Sequence, residues 1–273
     1  MPDTLLGKRT RYPRRYARDA LRAIARAGNR EVLGVCRPLP FHGKDVWHAY
    51  ELTWLEPSGK PAVAVATIEV DAASQAMVES KSLKLYLNSL AMERYESSGD
   101  VAVLIQRDLA ETAQGEVLVT LARPSSVATA GISDLPGIRI DDVAVSCEVF
   151  EVDAALLQNA DTGGGEAVSE ELHSHLLRSL CPVTDQPDFG SVFIRYRGVP
   201  IDRASLLRYL VSYRNHSDFH ESCVERIFVD LKERCRPEAL TVYGFFNRRG
   251  GIDINPFRSD FEEAGSSWRL WRQ

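Results

Sequence analysis

The sequence predicts an α+β protein of two tandem modules, each built of strands and two helices. Three observations carry that prediction. Strand-like and helix-like stretches alternate along the chain. The order strand, helix, gap, helix, strand in the first half recurs in the second. An offset of 123 places Ser82, Leu83, Tyr86, Leu87, Ser89, Val101 and Val119 on Ser205, Leu206, Tyr209, Leu210, Ser212, Val224 and Val242. A period this long indicates duplicated domains rather than a solenoid. Finally, 273 residues suffice for two cores of about 130 residues each.

The elements follow in order. The chain opens on a basic stretch (Lys8, Arg9, Arg11, Arg14, Arg15, Arg18, Arg22, Arg26, Arg30) relieved only by Asp3 and Asp19. With Pro2, Pro13 and no apolar core, it reads as a solvated segment of the mature protein rather than a targeting peptide. "HAYELTWLE" (48–56) and "PAVAVATIEV" (61–70) form a hairpin turned by "PSGK". "KSLKLYLNSLAMERY" (81–95) and "GDVAVLIQRDLAETA" (99–113) have helical spacing, and "EVLVTLA" (116–122) is a strand. The Pro/Ser-punctuated "RPSSVATAGISDLPGI" holds the module boundary, giving 1–130 and 131–273. Then come strands at 143–152 and 191–198, helices at 204–215 and 220–235, and a strand at 239–247.

Composition bounds the function. The chain is 44% hydrophobic and 26% charged, with net charge −5, which argues against general nucleic-acid binding. No apolar run approaches the roughly 18 residues a membrane span needs. Five widely spaced cysteines without a CxxC suit free thiols in a reducing cytosol, so the cytoplasm is the expected location. Cys36, Cys147, Cys223 and Cys235 read as buried and inert.

Three stretches carry chemistry. In "SLCPVTDQPDFG", Cys181 is a structural thiol, a metal ligand or a nucleophile, and Asp188 follows seven residues later. In "VESKSLKLY", Glu79 and Ser80 suit a first helical turn, while Lys81 and Lys84 share a face. The alternatives there are a capped amphipathic helix, or a carboxylate that binds ligand N–H groups beside phosphate-binding lysines. "SDFHES" offers Phe219, His220 and Glu221: a helix start, or an aromatic stacking partner, an acid/base and a second carboxylate. "NRRGG" puts Arg248, Arg249 and Gly250 at a turn, a solvated tip or an anion site. "DFG" at 188–190 lacks a kinase's other motifs, "DTGGGE" (161–166) is no P-loop, and "HSH" (173–175) fits no standard structural zinc spacing.

Together "ESKSLKLYLNS", "CPVTDQPDFG" and "NHSDFHE", with "LGKRTRY", "FHGKDVWHAYELTWL" and "NRRGGIDINPFRS", resemble the long, two-module form of the NADPH-dependent 7-cyano-7-deazaguanine reductases. These are the nitrile reductases of queuosine biosynthesis, and the resemblance spans nearly the whole chain. It implies a tunnelling fold (T-fold), each module an antiparallel sheet with two helices on one face, and a cytoplasmic homodimer with no direct nucleic-acid contact. It implies NADPH as cofactor and 7-cyano-7-deazaguanine as substrate. By the same resemblance Cys181 is the nucleophile that forms a thioimide, Asp188 its proton partner, and His220 an aid to later proton delivery. Val78, Glu79, Ser80, Phe219, His220 and Glu221 bind substrate; Ser80, Lys81, Lys84, Arg249 and Gly250 bind NADPH; no metal is implied. Two other classes stand beside this: a zinc cyclohydrolase on the same fold, with Cys181 and a histidine as ligands, and a non-catalytic purine- or pterin-binding module.

Overall fold

A computed structural model describes residues 12–127, 131–161, 166–265 and 268–273. The first part of the basic segment, with all of "LGKRTRY" but Tyr12, and most of "DTGGGE" lie outside the described residues. The chain divides into two compact units. One takes in the chain up to Val32, Lys44–Gly131 and Arg248–Ile254. The other takes in Leu33–Gly43, Ile132–Asn247 and Asn255–Gln273.

The first unit begins with β1 (Ala23–Ala25) and α1 (Arg26–Val32), followed by β2 (His42–Leu55) and β3 (Pro61–Asp71). β4 (Ala76–Val78) leads into α2 (Ser80–Ser89) and α3 (Ser98–Ala113), and β5 (Val117–Ala122) and α4 (Pro124–Val127) close it. β2–β3 and β3–β5 are antiparallel, as is the short pair β1–β4. The predicted hairpin is present, and Gly59 takes φ +89° at its turn, a conformation glycine adopts without steric cost. One face of the strands (Ala64, Ala66, Ile68, Val70, Val117, Val119) packs on one stripe of each helix (Leu83, Tyr86, Leu87; Val101, Ile105, Leu109). α3 is fixed at its start by a reciprocal bond between Ser97 and Asp100, the capping box.

The helix expected over 81–95 stops at Ser89. Beyond it the chain turns back to β2, where Leu55 N donates to Glu93 O (2.9 Å) and Tyr95 N donates to Leu55 O (3.0 Å). The apolar spacing continues past the point where the backbone finds better partners.

The second unit contains β6 (Ile138–Arg139), β7 (Val168–Leu180), β8 (Pro187–Gly198), α5 (Arg203–Ser212), α6 (His220–Arg234) and β9 (Ala239–Phe246). The last strand, β10 (Ile252–Ser259), gives its later residues to this unit. β7–β8, β8–β9 and β9–β10 are antiparallel. Val192, Ile194, Tyr196, Leu240 and Val242 pack beneath Leu206, Leu210, Val224, Ile227 and Phe228. The molecule is thus α+β, with antiparallel strands and two principal helices per unit, the content expected of T-fold modules.

Two expectations fail here. "VAVSCEVFEV" (143–152) has the alternation of a strand but enters no ladder among the described residues. Val143, Val145 and Val152 rest on the core, while Ser146 and Phe150 give their carbonyls to Arg208 Nε and Asn215 N. Half-burial against helices produces the same period as half-burial in a sheet. Conversely β7, which contains "HSH", was not predicted, because its polar residues hide the period.

The repeat extends to single hydrogen bonds. Glu79 caps α2 and Asp202 caps α5. The hydroxyls of Ser82 and Ser205 donate back to the carbonyls of those caps. Tyr86 OH donates to Asp108 at 2.7 Å and Tyr209 OH to Asp230 at 2.6 Å. Such buried networks require both partners, since an orphaned group bears its full desolvation cost.

All five cysteines are free thiols. Cys223 and Cys235 are buried as expected, and burial pushes Cys235 up to about 11 and Cys223 well above the usual thiol range. Cys36 is exposed and Cys147 half-buried, so burial does not extend to all four. Among the described residues no helix is long and apolar enough to cross a membrane.

Candidate active site

Cys181 stands at the exit of β7, in the hairpin to β8. Ladder pairs Ser179–Asp188 and Leu180–Pro187 lead into that turn. Cys181 N donates to Gln186 O (2.9 Å) and Asp185 N to Cys181 O (3.0 Å), with Asp185 at φ +53°. The preceding residue is clamped from the other side: Leu180 N donates to His216 O (2.8 Å), and Asp218 N to Leu180 O (3.1 Å). These bonds hold the cysteine beside the approach to α6. Its side chain is buried, with 6% exposure.

Asp188 lies within β8, which begins at Pro187, ahead of the strand expected from residue 191. The sheet therefore fixes it, and it is 2% exposed. His220, the first residue of α6, places Nε2 3.1 Å from Asp188 Oδ2. Its ring stacks on Phe246, centroids 3.9 Å apart and planes 7° from parallel. Its Nδ1 is buried with no protein partner, so it can meet a ligand or relay a proton. Glu221 is buried next to it and Phe219, the residue before α6, is half-buried. Phe246 was missed in sequence: it comes from β9, with no local motif to mark it.

Val78 ends β4, and Glu79 is the N-cap of α2, accepting from Lys81 N (3.1 Å) and Ser82 N (2.8 Å). The capping reading of this motif holds. A carboxylate has about four acceptor positions, so capping leaves capacity for a ligand. Glu79 is 1% exposed, and that burial raises its carboxyl above the usual range against the amide bonds that lower it. Ser80 and Lys81 are half-buried in the first turn of α2.

Lys84, Arg249 and Gly250 meet in the first unit. Lys84 Nζ donates to Gly250 O at 2.6 Å. Arg249 and Ile252 exchange backbone bonds across the turn, where Gly250 and Gly251 take φ +61° and +80°. A Cβ on Gly250 would stand 2.9 Å from Lys84 Cδ. The first unit thus holds Val78, Glu79, Ser80, Lys81, Lys84, Arg249 and Gly250, and the second holds Cys181, Asp188, Phe219, His220 and Glu221.

Comparison with known proteins decides the family. Over 260 residues, 95% of this chain and 91% of the relative, the chain is 50% identical to the NADPH-dependent 7-cyano-7-deazaguanine reductase of Dechloromonas aromatica (strain RCB). The chain belongs to this reductase family. The reductase of the same name from Burkholderia cenocepacia (strain HI2424) is 48% identical over 94% of both chains. The family model described as nitrile reductase, 7-cyano-7-deazaguanine-reductase N-term, matches residues 12–121, and that of the QueF-like protein matches 187–264. The second match contains Asp188, His220 and Glu221, and the first contains Glu79 and both lysines.

Proposed function

We propose that this chain reduces the nitrile of 7-cyano-7-deazaguanine to a primary amine with NADPH, in queuosine biosynthesis, through a thioimide on Cys181. The observation that supports it is the Asp188–His220 pair, held 3.1 Å apart in the same unit as a cysteine whose loop is fixed by backbone bonds. A nitrile carbon accepts hydride poorly. The Cys181 sulfur adds to it while Asp188 takes the thiol proton and passes it to the nitrile nitrogen, so the C≡N bond becomes a C=N–H bearing sulfur. NADPH, held by Ser80, Lys81, Lys84, Arg249 and Gly250, would supply the two hydrides that take the nitrile to the amine. His220 delivers protons to nitrogen in those later stages, its charge held by Asp188.

Glu221 on the second unit suits the N–H donors of the deazaguanine, as a charged acceptor does, and Phe219 beside it suits stacking on the ring. On the first unit Glu79 suits the same kind of donor, with Val78 and Ser80 contributing through their backbone. The cations at Lys81, Lys84 and Arg249 suit phosphate groups, and the close approach at Gly250 suits a cofactor backbone contact. The modules are 1–130 and 131–273, with Arg249 and Gly250 joining the compact unit of the first, in a cytoplasmic homodimer without direct nucleic-acid contact. Among the described residues, the one cluster of His, Cys, Asp and Glu able to share a metal excludes Cys181. That favours the nucleophile over a zinc cyclohydrolase, and the buried acid–histidine pair favours catalysis over a passive binding module.

The test is the absorbance of NADPH against substrate. Two equivalents oxidised per nitrile, with the amine as product, support the reading; no oxidation sinks it. Asp188→Asn is expected to lower kcat by about 10² to 10⁴, the range for a lost acid/base, with KM little changed. A kcat within threefold of wild type would remove Asp188 from the chemistry.

Glu79→Gln separates binding from folding. Losing a charged acceptor is expected to weaken substrate binding by about 1.5–3 kcal/mol. Because the folded state raises the Glu79 pKa, the proton binds more tightly folded than unfolded. That contribution to stability is present in acid and is lost as pH rises through the folded value. The variant should therefore gain stability relative to wild type between acid and neutral pH. Parallel stability curves across that range would contradict it.

A further inference from the structure

We propose that the second unit carries a divalent transition-metal site, of zinc type, formed by Asp134, His173 and His175. One ligand atom from each lies within 4.8 Å of the others. The spacing i, i+2 on β7 puts both imidazoles on the same face of the strand, their rings 5.3 Å apart. The third donor arrives from the segment before β6, which is why no sequence spacing marked it.

His173 supplies the decisive observation. It is 4% exposed, and its Nδ1–H donates to Pro136 O at 2.9 Å. That bond fixes the proton on Nδ1 and leaves Nε2 with its lone pair. Nε2 is buried and finds no hydrogen-bond partner among the described residues, a state that native structures rarely leave unexplained. A metal-bound histidine has this arrangement, one nitrogen donating to an oxygen acceptor and the other facing the ion.

His175 differs in having both ring nitrogens partnered. Its Nδ1 lies 2.8 Å from Ser191 Oγ and its Nε2 3.0 Å from Asp134 Oδ1. Ser191 can donate to or accept from Nδ1, so the ring can release Nε2 to an ion. Ligands bound tetrahedrally to zinc at about 2.0–2.1 Å stand about 3.3–3.4 Å apart, so the 3.0 Å His175–Asp134 hydrogen bond opens by a few tenths of an ångström when an ion takes the place of its proton. Asp141 adds a second carboxylate behind the site, accepting from Ser174 Oγ and His175 N. A cavity of about 430 Å³, lined by Asp134, His175, Ser191, Trp271 and Arg272 among others, leaves room for a water as the remaining ligand. Two histidines, one carboxylate and an open position form a zinc-type donor set. The ion would pin the segment around Asp134 to β7, since Leu135 next to it is a core residue.

The test is equilibrium dialysis of metal-stripped full-length protein against Zn²⁺, with Co²⁺ absorption as the spectroscopic probe. One equivalent per chain is expected, lost in His175→Gln and in Asp134→Asn and kept in Cys181→Ala. Asp134 is exposed, so its variant folds whatever becomes of His173 and His175. The Co²⁺ form should show ligand-field bands without a thiolate charge-transfer band, and zinc should raise the Tm of wild type and of Cys181→Ala but not of His175→Gln or Asp134→Asn. No stoichiometric binding overturns the proposal. So does zinc lost in Cys181→Ala and kept in the histidine variants, which would place the ion on the cysteine.

Discussion

Cys181→Ala is expected to lower turnover at least about a thousandfold, as loss of a covalent nucleophile does, while substrate still binds. The geometry separates these effects. The turn around Cys181 is closed by backbone bonds from Gln186 and Asp185, and its entry is clamped to residues 216–218. None of these bonds uses the sulfur. Removing one buried atom costs on the order of 1 kcal/mol, too little to unfold a domain of ordinary stability. Wild-type protein mixed with 7-cyano-7-deazaguanine, without NADPH, should gain the mass of the intact nitrile, because addition expels no leaving group. The variant should gain none. An adduct that persists in the variant, or turnover within tenfold of wild type, would mean that sulfur is not the attacking atom.

What the sequence made legible follows from how local each signal is. The hairpin through Gly59 and the helix over 99–113 were readable, because each rests on residues a few positions apart, and the repeat of Tyr86 as Tyr209 was readable by sliding the chain on itself. The Glu79 motif was legible as two alternatives, and the structure shows the cap, with acceptor positions of the carboxylate to spare. The strand expected at 143–152 failed because alternation reports half-burial, not hydrogen bonding. The strand expected from residue 191 starts earlier, at Pro187, a residue that ordinarily marks a loop; at a strand's first position it is tolerated. The stacking of His220 on Phe246 and the meeting of His173 with Asp134 were out of reach, since each joins residues far apart in the chain. The family resemblance supplied roles for Cys181, Glu221 and Arg249 that no spacing argument could assign.

Arg258→Leu should produce the largest loss of stability of any single change considered, about 3–5 kcal/mol, the cost of breaking a buried ion pair. Arg258 is fully buried on β10 and faces Glu225 on α6, itself 3% exposed. Arg258 Nε and Nη2 donate to the same Glu225 oxygen at 3.0 and 2.8 Å, and Nη1 donates to Phe257 O at 2.9 Å. The guanidinium also lies 5.6 Å from the centre of the Phe41 ring, a cation–π contact. Taking away the cation leaves Glu225 with a buried charge that has lost its counter-ion. The cost therefore comes mainly from the residue that remains, and a second change should return much of it. Glu225→Leu combined with Arg258→Leu is expected to be clearly more stable than Arg258→Leu alone, because two apolar side chains need no charge partner. Urea midpoints of the two single variants and the double variant measure this coupling. If the double variant is no more stable than the worse single, the energy lies in packing around Phe41 and not in the charges. Because α6 starts at His220, the same series also reads catalysis. Activity per folded molecule should stay near wild type in the double variant, since the bond to β10 is one turn beyond the histidine and its partner Asp188 is held by a different strand.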